Sequence, residues 1–333
     1  MKIIVAHNQV SNQDAPDARD VLVQAEAVSV ALVGLGHSVS RLACDLNLDA
    51  LREKLATERP DLVFNLVEDL GGQGRLIHFF PFLLDSMGIA YTGAPAEAIF
   101  LSSHKTLAKE RMIQAGLATP AWVGPCPVIG LGQGRGGKSS KWIIKSLWEH
   151  ASLGLDAASV LETRDHDLLL AEMEKRQANL GGICFAEEFI DGREFNLSLL
   201  ASAAGVDVLP PAEIVFADYS PYMVQIVDYQ AKWQEDSFAY NHTVRRYDFN
   251  GEDQGLLQKL KQTARRCWDI FGLAGYARVD FRVNPAGRPF ILEVNANPCI
   301  SPDAGFAAAL GRARIGFEEA VGRIIADSGA GRN

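Results

Sequence analysis

Near its C-terminus the chain reads Ala277-Arg278-Val279-Asp280-Phe281-Arg282-Val283, then Asn284-Pro285-Ala286-Gly287, then Pro289-Phe290-Ile291-Leu292-Glu293-Val294-Asn295-Ala296-Asn297-Pro298. Both flanks alternate polar and apolar residues around turn chemistry, so the stretch predicts a β-hairpin. With the four-residue Asn-Pro-Ala-Gly loop, Val283 pairs with Arg288, Asp280 faces Ile291 and Arg278 faces Glu293. The period of two then puts Arg278, Asp280, Glu293 and Asn295 on one face. Two carboxylates and an amide oxygen gathered among apolar strands repel one another unless a cation lies between them. Hard oxygen donors of this kind suit Mg²⁺, which takes few protein groups and completes its shell with water and phosphate oxygens.

The remaining pattern sets the architecture. In residues 1–95 strands at Lys2–Ala6, His37–Leu42 and Asp61–Val67 alternate with helices at Asp17–Leu35, Leu48–Thr57 and one ending at Met87. That alternation predicts a parallel sheet covered by helices. Loops at the C-terminal ends of such strands, Glu68–Gly72 among them, are where a small ligand sits. Further on come a helix from Ser102-Ser103 to about Ala115, a strand over 141–146, and a helix over Asp167–Asn179. Strands at Gly182–Ile190 and Arg193–Leu200 follow. Residues 206–250 read as loop-rich, and helices are expected over Gly255–Phe271 and Gly316–Ala326. Gly132 to Ser139 spells G-x-x-x-x-G-K-S, the phosphate-loop pattern, but a strand-like run begins at Lys141 where that motif requires a helix. It reads instead as a flexible basic loop.

Composition excludes several classes. The 333 residues carry a formal charge of −9, and Arg245-Arg246 is too small a basic patch for nucleic acid. No apolar run is long enough to span a membrane. The start, Met1 to Asn8, is a short strand rather than a signal peptide. Five cysteines without C-x-x-C spacing argue against a disulfide framework or a structural zinc site and for the cytoplasm.

Five segments in this order resemble the ATP-grasp superfamily, and within it the D-alanine–D-alanine ligases: Ile89–Gly93, His104-Lys105, Ile143–Lys145, Glu187–Phe195 and Arg278–Pro298. The resemblance implies an α/β and α+β chain: a parallel-sheet substrate domain (1–95), then a two-subdomain ATP-grasp fold, central (96–190) and C-terminal with the metal site (191–333). It implies an ATP- and Mg²⁺-dependent carboxylate–amine ligase, with Mn²⁺ as an alternative ion. Small-molecule carboxylate and amine substrates, amino acids in the first instance, are expected, with a homodimer and no nucleic-acid or membrane partner. Lys105 and Lys145 then meet the phosphates, and Lys145, within an apolar strand, needs an anion in any case. Phe189 and Ile190 end the strand whose backbone meets the adenine edge, Glu187 takes the exocyclic amine and Glu194 the ribose hydroxyls. Lys232 lies on a mobile loop over the transferred phosphate. Asp280, Glu293 and Asn295 hold the metal, and Arg278 stabilises charge on the phosphoryl group.

Departures concern the substrate. Pro298-Cys299-Ile300-Ser301 stands where the family has Pro-Gly-Met-Thr, Ala304-Gly305 replaces a Ser-Leu pair, and Glu68 stands near a family histidine. Glu68, Cys299 and Ser301 are therefore the candidate substrate contacts, and Glu68 favours a different or more cationic substrate. The acidic group that holds an amino acid's ammonium has no clear match, Asp17 and Asp20 being only nearby. Cys299 has no histidine close in sequence and reads as a small structural residue. Two other classes stay open: a non-catalytic nucleotide-binding protein of this fold, and a P-loop ATPase or kinase using Gly132–Ser139.

Overall fold

Three sheets, each drawn from a different stretch of the chain, organise the protein. A computed structural model describes residues 1–11, 13–126, 141–150 and 152–328. In the first stretch β1 (Lys2–Asn8), β2 (Ser38–Cys44) and β3 (Leu62–Asn65) form a parallel sheet in the order β2-β1-β3, with α1 (Pro16–Gly34) and α2 (Leu48–Glu58) as the crossovers. Six of the seven β1 residues are buried, as expected for a parallel strand covered on both faces. Pro16 opens α1, where its missing N–H costs nothing. α3 (Phe79–Met87) closes this unit and stops at Gly88, whose φ of 65° is the left-handed cap geometry that glycine adopts without strain.

The expected helix start at Ser102-Ser103 is displaced. Those serines end α4 (Ala96–Ser103), and α5 (Lys105–Gln114) begins after His104, whose Nδ1 accepts from the Leu107 amide at 3.2 Å. The imidazole takes the capping role usual for a hydroxyl, which leaves the apolar run before it free to be helical. Next comes an antiparallel sheet, β4-β7-β5-β6, from β4 (Trp122–Cys126), β5 (Lys141–Ser146), β6 (Val160–Glu162) and β7 (Cys184–Glu188). α6 (His166–Arg176), capped by Asp165, packs Leu169 and Met173 onto Trp142, Ile144 and Ala186. The Gly132–Ser139 motif lies outside the described residues.

The largest sheet has six strands. They are β8 (Arg193–Ser202), β9 (Gly205–Val208), β10 (Ala212–Phe216), β11 (Thr243–Arg246), β12 (Tyr276–Val283) and β13 (Pro289–Asn295). Their order is β11-β10-β8-β12-β13, with β9 paired to β8. The stretch expected to be loop-rich thus holds β9, β10, β11 and two short helices, α7 (Tyr229–Trp233) and α8 (Phe238–His242). Runs of four or five residues carry too little periodicity to be read alone; β9 and β10 form by pairing with β8, and β11 by pairing with β10. α9 (Gln254–Phe271) buries Leu257, Leu260, Ala264, Cys267 and Phe271 against this sheet, alongside α4 and α5. The final helices, α10 (Gly305–Ala313) and α11 (Phe317–Asp327), join α1 and the parallel sheet in one core that includes Val21, Leu32, Phe306, Val321 and Ile324. The C-terminal segment therefore fastens the first sheet to the third.

Candidate active site

The hairpin forms, with a register that differs from expectation. Val283 pairs with Pro289, Phe281 with Ile291, Asp280 with Glu293 and Arg278 with Asn295. The loop is one residue longer than the turn pattern suggests, because the Asn284 amide bonds to the Arg288 carbonyl at 3.0 Å. Leu292 is then an extra residue, a bulge between Phe281 and Asp280. It has a clear consequence. Ile291 stays in the core behind the sheet while Glu293, two residues on, turns to the Asp280 face. Bulges commonly re-aim a side chain beside a functional site.

Arg278, Asp280, Glu293 and Asn295 are accordingly brought together. Arg278 grips Asp280 with two parallel bonds of 2.8 Å and lies 3.9 Å from Glu293. The Asn295 amide donates to Asp280 at 3.2 Å and Glu293 at 3.3 Å, and Asn196 of β8 donates to Asp280 at 2.8 Å. Burial alone would raise both acids. Lys105, Lys232 and Arg278 nevertheless hold Glu293 far below the ordinary carboxylate range. Asp280 moves upward, because burial and the Glu293 charge outweigh its arginine. These two directly paired acids are pushed in opposite directions, a kind of perturbation that clusters at functional sites.

Three lysines stand opposite. Lys105 donates to the Glu149 carbonyl at 2.7 Å, and burial lowers its pKa to about 8. Lys145 meets Glu187 at 2.8 Å, and Lys109, fully buried, forms an ion pair with the other oxygen of Glu187. Lys109 also donates to Thr119 at 2.7 Å. A buried ammonium persists only with such compensation.

Glu194, Phe189 and Ile190 line the same cavity, a cleft between the four-stranded and six-stranded sheets with about 940 Å³ of space, its open mouth included. Glu194 accepts from Arg282 at 2.9 Å, and the Arg282 guanidinium lies between the rings of Phe189 and Phe216 at 5.2 and 5.6 Å. Lys232, on α7, reaches the cavity; burial, then Arg278, lowers its pKa. The segment carrying α7 is tied down: Ser152 donates to the Val227 carbonyl at 2.8 Å, and Tyr229 donates to Asp17 of α1 at 3.0 Å.

The substrate candidates gather where the parallel sheet meets the residues after β13. The Cys299 thiol donates to Asp20 at 2.9 Å and Ser301 to the other Asp20 oxygen at 2.7 Å. Burial, then Glu68 and Asp20, push the thiol well up, so it stays protonated and no thiolate forms for nucleophilic work. Gln24 donates to Glu68 at 2.8 Å and Asn8 to Asp69 at 2.9 Å. Burial raises Glu68 to about 7. Among the described residues none of Asp17, Asp20, Glu68 and Asp69 takes part in a salt bridge. Asp17 and Asp20, which had no clear role in the sequence, therefore belong to this end.

Comparison with known proteins bears on the whole chain. The family model described as D-ala D-ala ligase C-terminus matches residues 143–326, more than half of it. The chain belongs to the D-alanine–D-alanine ligase family. It is an ATP-dependent ligase that forms carbon–nitrogen bonds. The D-alanine–D-alanine ligase of Methylococcus capsulatus is 28% identical over 274 residues, covering 82% of this chain and 81% of its own. That of Gloeobacter violaceus is 28% identical over 325 residues, covering 95% and 97%. In fold, the Bacillus anthracis D-alanine–D-alanine ligase complexed with ATP superposes with a TM-score of 0.72 at 18% identity, covering 98% and 97%. D-alanyl-alanine synthetase A from Vibrio cholerae gives 0.73 at 15%, covering 98% of each.

Four residues of this ligase escaped sequence reading. Lys109 follows Lys105 by one helical turn, so the i, i+4 spacing was a usable signal. Arg282 and Asn196 continue the period-two faces of Arg278-Asp280 and Glu194, and could have been found in the same way. His150, which lines the cavity beyond β5, follows no periodic pattern and carried no signal.

Proposed function

We propose that ATP lies in the cavity between the second and third sheets, with Lys105 and Lys145 on its phosphates. Glu194 meets the ribose, and the backbone at Phe189 and Ile190 meets the adenine edge. Glu187 orients Lys145 and faces the exocyclic amine from that fixed position. Arg278 and Lys232 act on the transferred phosphoryl group. The donor set fits Mg²⁺: two carboxylates and an amide converge on one face, and magnesium is commonly bound by one or two carboxylates plus phosphate oxygens. Asp280, Glu293 and the Asn295 oxygen would hold it once that amide rotates, with Mn²⁺ as an alternative. Bound there, it would neutralise phosphate charge.

In this proposal a substrate carboxylate oxygen attacks the γ-phosphorus and the bond to ADP breaks, giving an acyl phosphate. The amine nitrogen of a second molecule attacks the acyl carbon, the bond to phosphate breaks with its electrons, and the amine loses a proton as the amide forms. The protein supplies alignment and charge stabilisation. Arg278 and Lys232 provide donors for the charge that develops.

We infer that the substrates are amino acids and that an ammonium meets Asp17, Asp20 and Glu68, with Cys299 and Ser301 holding Asp20 in place. With Asp69 beside them, four carboxylates exceed what one ammonium needs, which favours a substrate with a further positive charge. The division at 1–95, 96–190 and 191–333, supported by the three sheets, and a cytoplasmic setting belong to the same proposal. So does a homodimer, supported by the exposed apolar stripe of Leu22, Val23, Val30 and Val33 on α1. Light scattering of Val30→Asp against the parent protein tests it, and an unchanged mass would sink it.

The observation that carries the ligase assignment is the pairing of Asp280 and Glu293 beside Arg278, under three lysines. ADP release with magnesium and pairs of D- and L-amino acids, diamino acids included, followed by mass spectrometry of the product, tests it. ADP release indifferent to every amino acid would overturn the amino-acid substrate class. Lys138→Ala should cost little activity; near-total loss of nucleotide binding would favour the P-loop alternative.

A further inference from the structure

His150 follows β5, the strand that carries Lys145, and its surroundings are firmly tied. The preceding Glu149 gives its carbonyl to Lys105 at 2.7 Å and its side chain to the Gly74 amide at 3.1 Å. The His150 carbonyl accepts from the Leu153 amide at 3.2 Å, and Ser152 is bonded to the segment that carries α7. Against this background the His150 Nε2 is closed to solvent and has no hydrogen-bond partner among the described residues. Leaving a buried polar nitrogen unpaired is costly, and native proteins seldom tolerate it without reason.

A ligand would supply the missing partner. His150 lines the ATP cavity, and the charges acting on it are those of Lys105, Glu293, Lys232 and Arg278. Three cations around one imidazole make a setting for an anion, and they also disfavour a fourth charge. Burial, then Lys105, lowers the imidazole's pKa to about 4, so at neutral pH the ring is uncharged and carries one N–H. An adenine would be met at the other end of the cavity, by Phe189 and Ile190. Arg278, Lys232 and Glu293 mark the end where the terminal phosphate and the acyl group react.

We propose that His150 is a catalytic residue of this ligase, donating its Nε2–H to the γ-phosphoryl group of ATP. It is a neutral donor placed among point charges, able to follow the phosphoryl group during transfer without holding the product anion too tightly. The proposal rests on the ATP assignment of the cavity, and the test separates the two.

Calorimetric titration of the full chain with magnesium and either ADP or the β,γ-imido analogue of ATP is the measurement. His150→Ala should weaken the triphosphate analogue about tenfold to a hundredfold, the range for a hydrogen bond to a charged group. ADP affinity should stay within about twofold of the parent, and His150→Gln, which keeps an N–H at the end of the side chain, should recover most of the loss. Equal losses on both nucleotides would show a structural role, and an unchanged triphosphate affinity would show no contact; either overturns the proposal. If the parent protein bound neither nucleotide, the ATP assignment itself would fall, and this proposal with it.

Discussion

The two ends of the site treat buried charge in opposite ways. At the proposed nucleotide end four acids have cationic partners: Glu187 lies between Lys109 and Lys145, Glu194 meets Arg282, and Asp280 and Glu293 meet Arg278. At the substrate end Asp17, Asp20, Glu68 and Asp69 are held by tyrosine, thiol, hydroxyl and amide groups, all neutral donors. Charge matched by the protein itself builds a fixed scaffold, and charge left unmatched is reserved for a ligand. The first arrangement would serve a nucleotide that never varies. The second would serve whichever amine the chemistry uses.

The sharpest way to break this contrast is at the matched end. Glu293→Gln should lower amino-acid-dependent ADP release by about 10²–10³-fold while the protein stays folded, since it removes a carboxylate at the proposed phosphoryl-transfer centre. Thermal unfolding offers the next measurement. Glu187→Ala strands two buried lysines and should cost about 3–5 kcal/mol of stability. At the unmatched end the sign should reverse. Glu68 is raised to about 7 by burial. The folded state therefore binds its proton below that pH while the unfolded chain releases it from about the ordinary carboxylate value upward. Stability contributed by Glu68 is thus present at low pH and lost as pH rises through about 7. Glu68→Gln should raise the melting temperature at pH 8 and change it little at pH 5. The same variant should raise KM for the amine substrate about tenfold, the scale of one charged hydrogen bond, with nucleotide affinity unmoved. A melting temperature lowered at both pH values would erase the distinction. Smallest of all, Tyr229→Phe removes the bond to Asp17 and should change KM by roughly threefold, within the net worth of one hydrogen bond.

Much of the matched end was readable because it is periodic. Arg278, Asp280, Glu293 and Asn295 alternate on neighbouring strands, and Lys105 lies on a helix as its pattern suggests, although that helix starts later than expected. The register was not readable, since the bulge at Leu292 answers to a core on the far side of the sheet. Nor were the partners: that Glu187 serves two lysines depends on α5 packing beside β7, a tertiary fact. At the unmatched end, Asp17 and Asp20 lie more than 270 residues from Cys299 and Ser301, and nothing local links them. The short strands β10 and β11 were missed for the same reason, as each needs a neighbour to exist. His150 sits in a segment without period, where only the closed fold shows an imidazole nitrogen with nothing to bond.

The extra residue at Leu292 sets the phase of everything beyond it. Were Leu292 paired in a regular ladder instead, Glu293 and Asn295 would point into the oily interior and Val294 into the cavity, with no change in sequence. Deleting Leu292 would close the bulge and leave Glu293 opposite Asp280, so it should cost far less than replacing the acid itself, and a swap of leucine for isoleucine should pass almost unnoticed. Phase, as much as identity, is what this strand has to preserve.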